Sequence, residues 1–497
     1  MAYDNPVIPG FHPDPSVCRV GEDYYLATSS FEYFPGVPLF HSRDLVHWRQ
    51  LGHVLDRATQ LPLHGAKASG GIYAPTLRHA RGRFWMVTTN VSAGGGRQLI
   101  CHAEDPAGPW SEPVVAHLGE IDPSLTFADD GRVYLQASGG RRGIVQCEID
   151  PETGTALSSE QVLWTGAGWR YLEGPHLFQR GGWWYLLCAE GGTEAAHCVT
   201  IARSRSPWGP FEGCPRNPIL THRGLDTPLQ NTGHADLIQD HAGGWWMVFL
   251  AVRGIGYPPA HHLGRETCLA PVTWDADGWP VVNRGAAVEP RMDVPTLPVH
   301  PWPTPPARDR FAGPGLAPCW NWLRNPLPGS WSAGPDGLRL VATPWRLDDN
   351  EAQAWIGRRQ QHLACRFSAQ LSELSGGDGA EAGITVRACE THHDDLAVAL
   401  RGGRRVLLLR RRIGLLSVVV AERDVGDGAV ELGIDAEPEL YRFGLRRPDG
   451  GLDELGRGET RYRSTEIAGG FTGVFLAMYA QGPGAQARFP HADYAGL

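Results

Sequence analysis

The chain holds 497 residues, 42% of them hydrophobic and 20% charged, with a formal net charge of −9. That length exceeds one ordinary core and predicts two domains, while the apolar share excludes a disordered chain. The acidic balance argues against a nucleic-acid partner, because phosphate binding needs a basic surface.

Met1 to Gly10 lack a basic start followed by an apolar run, so no signal peptide is read there. No apolar stretch reaches the ~20 residues that a membrane helix requires, so no membrane partner is expected. Ten cysteines are scattered without a Cys-x-x-Cys pair. This speaks against zinc fingers and against a disulfide framework. The expectation is a reduced, cytoplasmic protein.

From residue 14 onward a short motif recurs five times, each copy followed by a Gly-marked turn and an aromatic strand. The copies are Asp14-Pro15-Ser16-Val17, Ala74-Pro75-Thr76-Leu77, Asp122-Pro123-Ser124-Leu125, Gly174-Pro175-His176-Leu177 and His234-Ala235-Asp236-Leu237. The aromatic strands carry Tyr24-Tyr25, Phe84-Trp85, Val133-Tyr134, Trp183-Trp184-Tyr185 and Trp245-Trp246. Measured at the first motif residue, the steps are 60, 48, 52 and 60 residues. Units of that size, with room for four strands each and almost no helical periodicity, predict the blades of a propeller. The fold class is therefore all-β: a five-bladed β-propeller over residues 1–290, which would carry the catalytic groups. The 18 tryptophans suit either sugar contact or a β-sheet core.

Residues 291–306 include Pro295, Pro298, Pro301, Pro303, Pro305 and Pro306, a composition suited to an extended linker. Beyond it, segments near 364–371, 382–387, 406–410 and 415–420 read as strands between Gly- and Asp-rich turns. They predict a β-sandwich (jelly-roll-like) accessory domain over 307–497. The run Arg410-Arg411-Arg412 is expected as a solvated strand edge, where charge blocks edge pairing.

The innermost strands of a propeller begin beside one axis, so equivalent positions from different blades converge at one end of the channel. This brings together Asp14, Asp122 and His234, with Glu173 and Tyr73 each one residue ahead of an aligned position. An Asp before Pro is ordinarily a turn former. Turn chemistry alone would place Asp at all five aligned positions or at none, whereas the blades carry Asp, Ala, Asp, Gly and His. Three convergent carboxylates suit glycoside cleavage, which needs one acid to protonate the leaving oxygen and one carboxylate to activate water or attack carbon. A third charge keeps the acid protonated near neutrality. The expected roles are acid for Glu173, base for Asp14 and tuning group for Asp122. His234 could alternatively hold an ion on the axis through water, or be a satisfied core histidine. Arg265, beside Glu266, reads either as half of a surface ion pair or as a planar clamp for a sugar hydroxyl or carboxylate.

At these residues the chain resembles glycoside hydrolase family 43, in the β-xylosidase and α-L-arabinofuranosidase branch with a C-terminal β-sandwich. The resemblance rests on Asn5 to Ser16, Ser29 to Val37, Gly70 to Pro75, Ile121 to Ser124, Leu172 to His176, Thr232 to Asp236 and Leu263 to Thr267. It continues at Trp320 to Pro326 and Gly357 to His362. It implies inversion with Asp14 as base, Glu173 as acid and Asp122 as pKa modulator, and a sugar pocket lined by Phe31, Tyr73, Thr193, His234 and Arg265. Related enzymes often have Trp where this chain has Tyr73. No cofactor is required, although Ca2+ or a similar divalent ion near the central histidine is compatible with the family. Inversion places the two carboxyl groups roughly 6.5–9.5 Å apart, leaving space for water. The expected activity is exo-acting release of xylose from xylooligosaccharides, with α-L-arabinofuranosidase or dual activity on arabinose-substituted oligosaccharides as the alternative. A non-catalytic sugar-binding propeller ranks lower, because a neutral sugar gains little from buried anions. Oligomeric state is left open, a homo-oligomer included.

Overall fold

The computed structural model describes residues 2–93, 97–294, 297–313 and 315–497. Five antiparallel sheets follow one another along residues 16–282. The first blade runs outward through Ser16–Val20, Asp23–Ala27, Gly36–Ser42 and Arg49–Leu55. Thr76–Ala80, Ile121–Phe127, Glu173–Arg180 and Leu229–Gln239 are the innermost strands of the other four.

The repeated aromatic strands are explained by packing between blades. Tyr25 meets Phe84 at 4.9 Å, Trp85 meets Phe127 at 5.6 Å, and Tyr134 meets Trp184 at 6.2 Å between ring centroids. Separate apolar clusters fill the successive gaps. One joins Leu39 to Met86, the next Val87 to Leu135, and another Tyr134 to Leu186. Trp85, Trp184 and Trp246 are buried in these layers, so they serve as core.

The ring is closed by the N-terminus. Ala2–Asp4 pairs with Arg291–Asp293, and Ile8 bridges Thr267 of the fifth blade. The Asn5 side chain donates to Leu269 O at 3.0 Å and accepts from Leu269 N at 2.8 Å. This lacing threads His12 past Arg265, whose carbonyl accepts from His12 N at 3.1 Å. The proline-rich segment continues as a strap along the first blade. His300 N donates to Asp44 at 2.7 Å, and the Arg49 guanidinium lies 3.9 Å over the Trp302 ring. Within that segment, Pro295 and position 296 lie outside the described residues.

The second domain packs a six-stranded sheet and a small four-stranded sheet against an eight-stranded one. The last strand of the eight is Tyr33–Phe34, contributed by the first blade and paired with Asn321–Leu323. The two domains therefore share a sheet. The expectation for Arg410-Arg411-Arg412 is corrected here. Their strand, Arg404–Ile413, is internal, between His392–Arg401 and Leu416–Asp424. Arg410 binds Glu381 at 2.6 Å, and Arg411 binds Asp394 at 3.0 Å. Arg412 lies 3.7 Å from Asp348. Carboxylates from other strands and a loop neutralise the run, which lets an arginine-rich strand sit inside a sheet.

Candidate active site

The sequence repeat corresponds to a backbone device. Asp14, Asp122, Gly174 and His234 occupy aligned positions in four blades, and all four have left-handed backbone, with φ of 57°, 56°, 57° and 42°. Three of those strands shift register there, between Ile121 and Ser124, Glu173 and His176, and Gly233 and Asp236. A bulge with one left-handed residue re-aims the side chains beside it. Gly174 is needed for another reason as well, since a Cβ there would lie 3.1 Å from the His234 ring.

Asp14 is buried and held from three sides. It accepts from Ser29 Oγ at 2.5 Å and from Arg265 Nη1 at 2.8 Å, with His234 Nδ1 at 3.6 Å. Burial pushes its carboxyl up, but Arg265, His234 and Ser29 outweigh that and hold it below the ordinary value. The base candidate is therefore ionised near neutrality.

Asp122 is also buried, and accepts from the Gly174 backbone N–H at 3.2 Å. Burial raises its pKa to about 6, with the Asp14 charge adding to the rise and His234 opposing it. Glu173 is raised well above the usual carboxylate range, first by desolvation, then by the charges of Asp122 and Asp14. The charges of Asp122 and Asp14 both favour the protonated form of Glu173, while Asp14 is held in its charged form. The cluster thus pushes Glu173 and Asp14 in opposite directions, one raised and one lowered.

The five expected pocket residues come together around these groups. Arg265 Nη1 also donates to Thr193 Oγ1 at 3.1 Å, and its guanidinium lies 5.6 Å from the Phe31 ring. Phe31 meets Tyr73 at 5.2 Å. His234 sits between Asp14 and Gly174, as above.

Phe471, from the second domain, was not foreseen. Its carbonyl accepts from Arg265 Nη2 at 3.3 Å, and its ring lies 6.1 Å from Phe31 and 6.2 Å from Tyr73. Its own N–H donates to Ser69 Oγ at 2.8 Å, which ties it to the propeller. The only local hint in the sequence is the glycine-rich frame Gly469-Gly470-Phe471-Thr472-Gly473. Close approach requires it, because a Cβ on Gly473 would fall 2.2 Å from Leu263 O.

A divalent ion at His234 fits these residues poorly. On one side its neighbour Asp14 is already neutralised by Arg265. Two residues along the same strand, Asp236 is bound by Arg78 at 2.7 Å, and the same guanidinium donates to His176 Nδ1 at 2.8 Å. Arginine cations stand where a hard ion would seek carboxylates. Among the described residues, the one group of three His, Cys, Asp or Glu ligand atoms lying within 4.8 Å of one another is Glu431, His491 and Asp493 in the second domain.

Comparison with known proteins agrees with this geometry. A family model described as "Glycosyl hydrolases family 43" matches residues 3–280, and one described as "Beta xylosidase C-terminal Concanavalin A-like domain" matches residues 308–495. The chain is 42% identical to the "Non-reducing end alpha-L-arabinofuranosidase BoGH43B" of Bacteroides ovatus, over 99% of this chain and 93% of that one. It is 38% identical to a "Xylosidase/arabinosidase" of Butyrivibrio fibrisolvens, over 97% and 96%. A solved structure described as "Crystal structure of xylan beta-1,4-xylosidase from Bacillus Halodurans C-125" superposes with a TM-score of 0.92 at 32% identity, covering 99% of both chains.

Proposed function

Because the chain belongs to glycosyl hydrolase family 43, we propose that it is an exo-acting, inverting glycosidase that releases xylose from the non-reducing ends of xylooligosaccharides. Glu173 gives its proton to the leaving glycosidic oxygen as the bond to the anomeric carbon breaks. Asp14 takes a proton from the water that attacks that carbon from the opposite face. Asp122 keeps the proton on Glu173 until it is needed. Arg265 holds Asp14 ionised.

The observation that carries this reading is the gathering of three carboxylates in one cluster, with Arg265 and His234 against Asp14, the Gly174 N–H on Asp122, and burial and neighbouring charge raising Glu173. Action on chain ends is supported by Phe471, which brings a ring of the second domain against Phe31 and Tyr73 beside the carboxylates. No step requires a metal or an organic cofactor. Ten free thiols support a reducing, cytoplasmic setting.

The second reading is α-L-arabinofuranosidase activity, favoured by the relative of that name at 42% identity. β-D-xylopyranose and α-L-arabinofuranose present similar hydroxyl directions to a pocket. Parallel hydrolysis of an aryl β-xyloside, an aryl α-L-arabinofuranoside and xylobiose separates the two. Turnover of xylobiose and the xyloside supports the first reading, and turnover of the arabinoside alone replaces it with the second.

A further inference from the structure

Five arginines are buried in the described structure: Arg265, Arg324, Arg359, Arg387 and Arg463. Four have a carboxylate partner. Arg265 has Asp14 at 2.8 Å, Arg324 and Arg387 share Glu390 at 2.7 and 2.8 Å, and Arg463 pairs with Asp394. Arg359 does not: among the described residues no carboxylate oxygen is paired with it. Its Nε donates to Phe11 O at 2.6 Å and its Nη1 to Asn321 Oδ1 at 2.7 Å, while Nη2 has no partner. Burial lowers its pKa to about 10, so it stays charged at neutral pH. The neighbouring His12 and His53 are pushed down by burial and by this guanidinium, and are neutral. A buried cation without a counter-ion is costly.

Arg359 lies in the wall of a cavity of about 700 Å3, where the first blade, the proline-rich strap and the second domain meet. Two more unpartnered, buried polar atoms belong to residues of the same wall, Arg358 Nε and His12 Nδ1. Arg358 lies 4.0 Å over the Tyr494 ring and donates to Gln361 at 3.1 Å, again without a carboxylate among the described residues. The wall also carries Asp309, which accepts from Trp320 Nε1 at 2.8 Å, and Asp493, which is paired with Arg308 at 2.6 Å, while Phe40, Trp48, Trp302 and Trp320 supply much of its apolar surface.

We infer that this cavity is a second ligand site, separate from the glycosidic pocket, and that it takes a small aromatic carboxylate. The carboxylate supplies the charge that Arg358 and Arg359 lack. The ring meets the tryptophan and proline walls, where apolar area is available for burial. A neutral sugar would leave the buried charge uncompensated. An inorganic anion would leave the aromatic walls without a partner.

Calorimetric titration of the full-length protein with benzoate, cinnamate, sulfate and xylose tests this. Two variants avoid the fold risk of changing Arg359: Arg358→Met removes one guanidinium, and Ala317→Trp fills the cavity from an exposed wall position. The expected result is one benzoate or cinnamate per chain, bound roughly tenfold more weakly by Arg358→Met, and not bound by Ala317→Trp. Both variants keep aryl xyloside hydrolysis, and xylose does not displace the acid. Absence of binding by both acids, sulfate binding as tight as benzoate, displacement by xylose, or unchanged binding in Ala317→Trp overturns the inference.

Discussion

Arg265 Nη1 lies 2.8 Å from one carboxylate oxygen of Asp14, and Arg265 Nη2 donates to a carbonyl of the second domain. One guanidinium therefore sets the charge of Asp14, the proposed base, and fastens the loop that carries Phe471. Replacing it with methionine removes the strongest influence that lowers Asp14. The base must be ionised to act, so the acidic limb of the kcat/KM profile moves to higher pH. The loss of charge-assisted hydrogen bonds adds a rate decrease of roughly tenfold or more at the optimum. A pH–rate profile of Arg265→Met against the parent checks both effects, and an unmoved acidic limb contradicts the assignment.

Asp122 acts on the other limb. Its charge is the second largest influence raising Glu173, after desolvation. Asp122→Asn removes that charge, so Glu173 loses its proton at lower pH and the alkaline limb of kcat shifts down. An accompanying fall in kcat on the order of 10²-fold is expected for a disturbed general acid. The Gly174 N–H keeps an acceptor in the Asn side chain, so thermal stability should change little.

Phe471 tests the contribution of the second domain. Its carbonyl belongs to the backbone and survives Phe471→Ala, whereas the ring contacts with Phe31 and Tyr73 are lost. KM for xylobiose should rise several-fold to tenfold, about 1 kcal/mol of lost contact, with kcat less affected. Phe471 is 39% exposed, so the melting temperature should stay within a few degrees. A fall in kcat with KM unchanged would point to disturbance of Arg265 itself.

Much of this site is legible in the sequence because a propeller turns sequence repetition into spatial convergence. Asp14, Asp122 and His234 could be aligned by their motifs, and Glu173 by its place before Gly174. Phe471 could not, because nothing in its own neighbourhood says that Ser69 will hold it. Nothing local to Tyr33–Phe34 shows that it becomes the edge strand of the other domain's sheet. The arginine run at 410–412 was misjudged for the same physical reason. Its partners Glu381, Asp394 and Asp348 come from other segments, and their alignment exists only after pairing.

The shared sheet leaves a titratable mark. Glu32 is fully buried beside it, accepts from Ser69 N at 3.0 Å, and has one unpartnered oxygen. Burial, and then the Glu390 charge, raise its pKa to about 7. In the unfolded chain it titrates near the ordinary 4.5, so between these values the folded state holds a proton that the unfolded state has released. Its contribution to stability is full below about 4.5 and is lost as pH rises toward 7. The loss is on the order of 1–3 kcal/mol. Glu32→Gln keeps an acceptor for Ser69 and should flatten that part of the stability–pH curve, measured by denaturant unfolding. An unchanged slope would show that Glu32 is already ionised in the fold.

The division of labour between Glu173 and Asp14 is tested most directly by a leaving-group series on Glu173→Gln. Aryl β-xylosides with good leaving groups need little protonation, and those with poor ones need it fully. The variant should keep most of its kcat/KM on the most acidic phenols and lose about 10²–10⁴-fold on the least acidic, giving a much steeper dependence on leaving-group pKa than the parent. A uniform loss across the series, with the parent's slope preserved, would contradict the assignment of Glu173 as the acid.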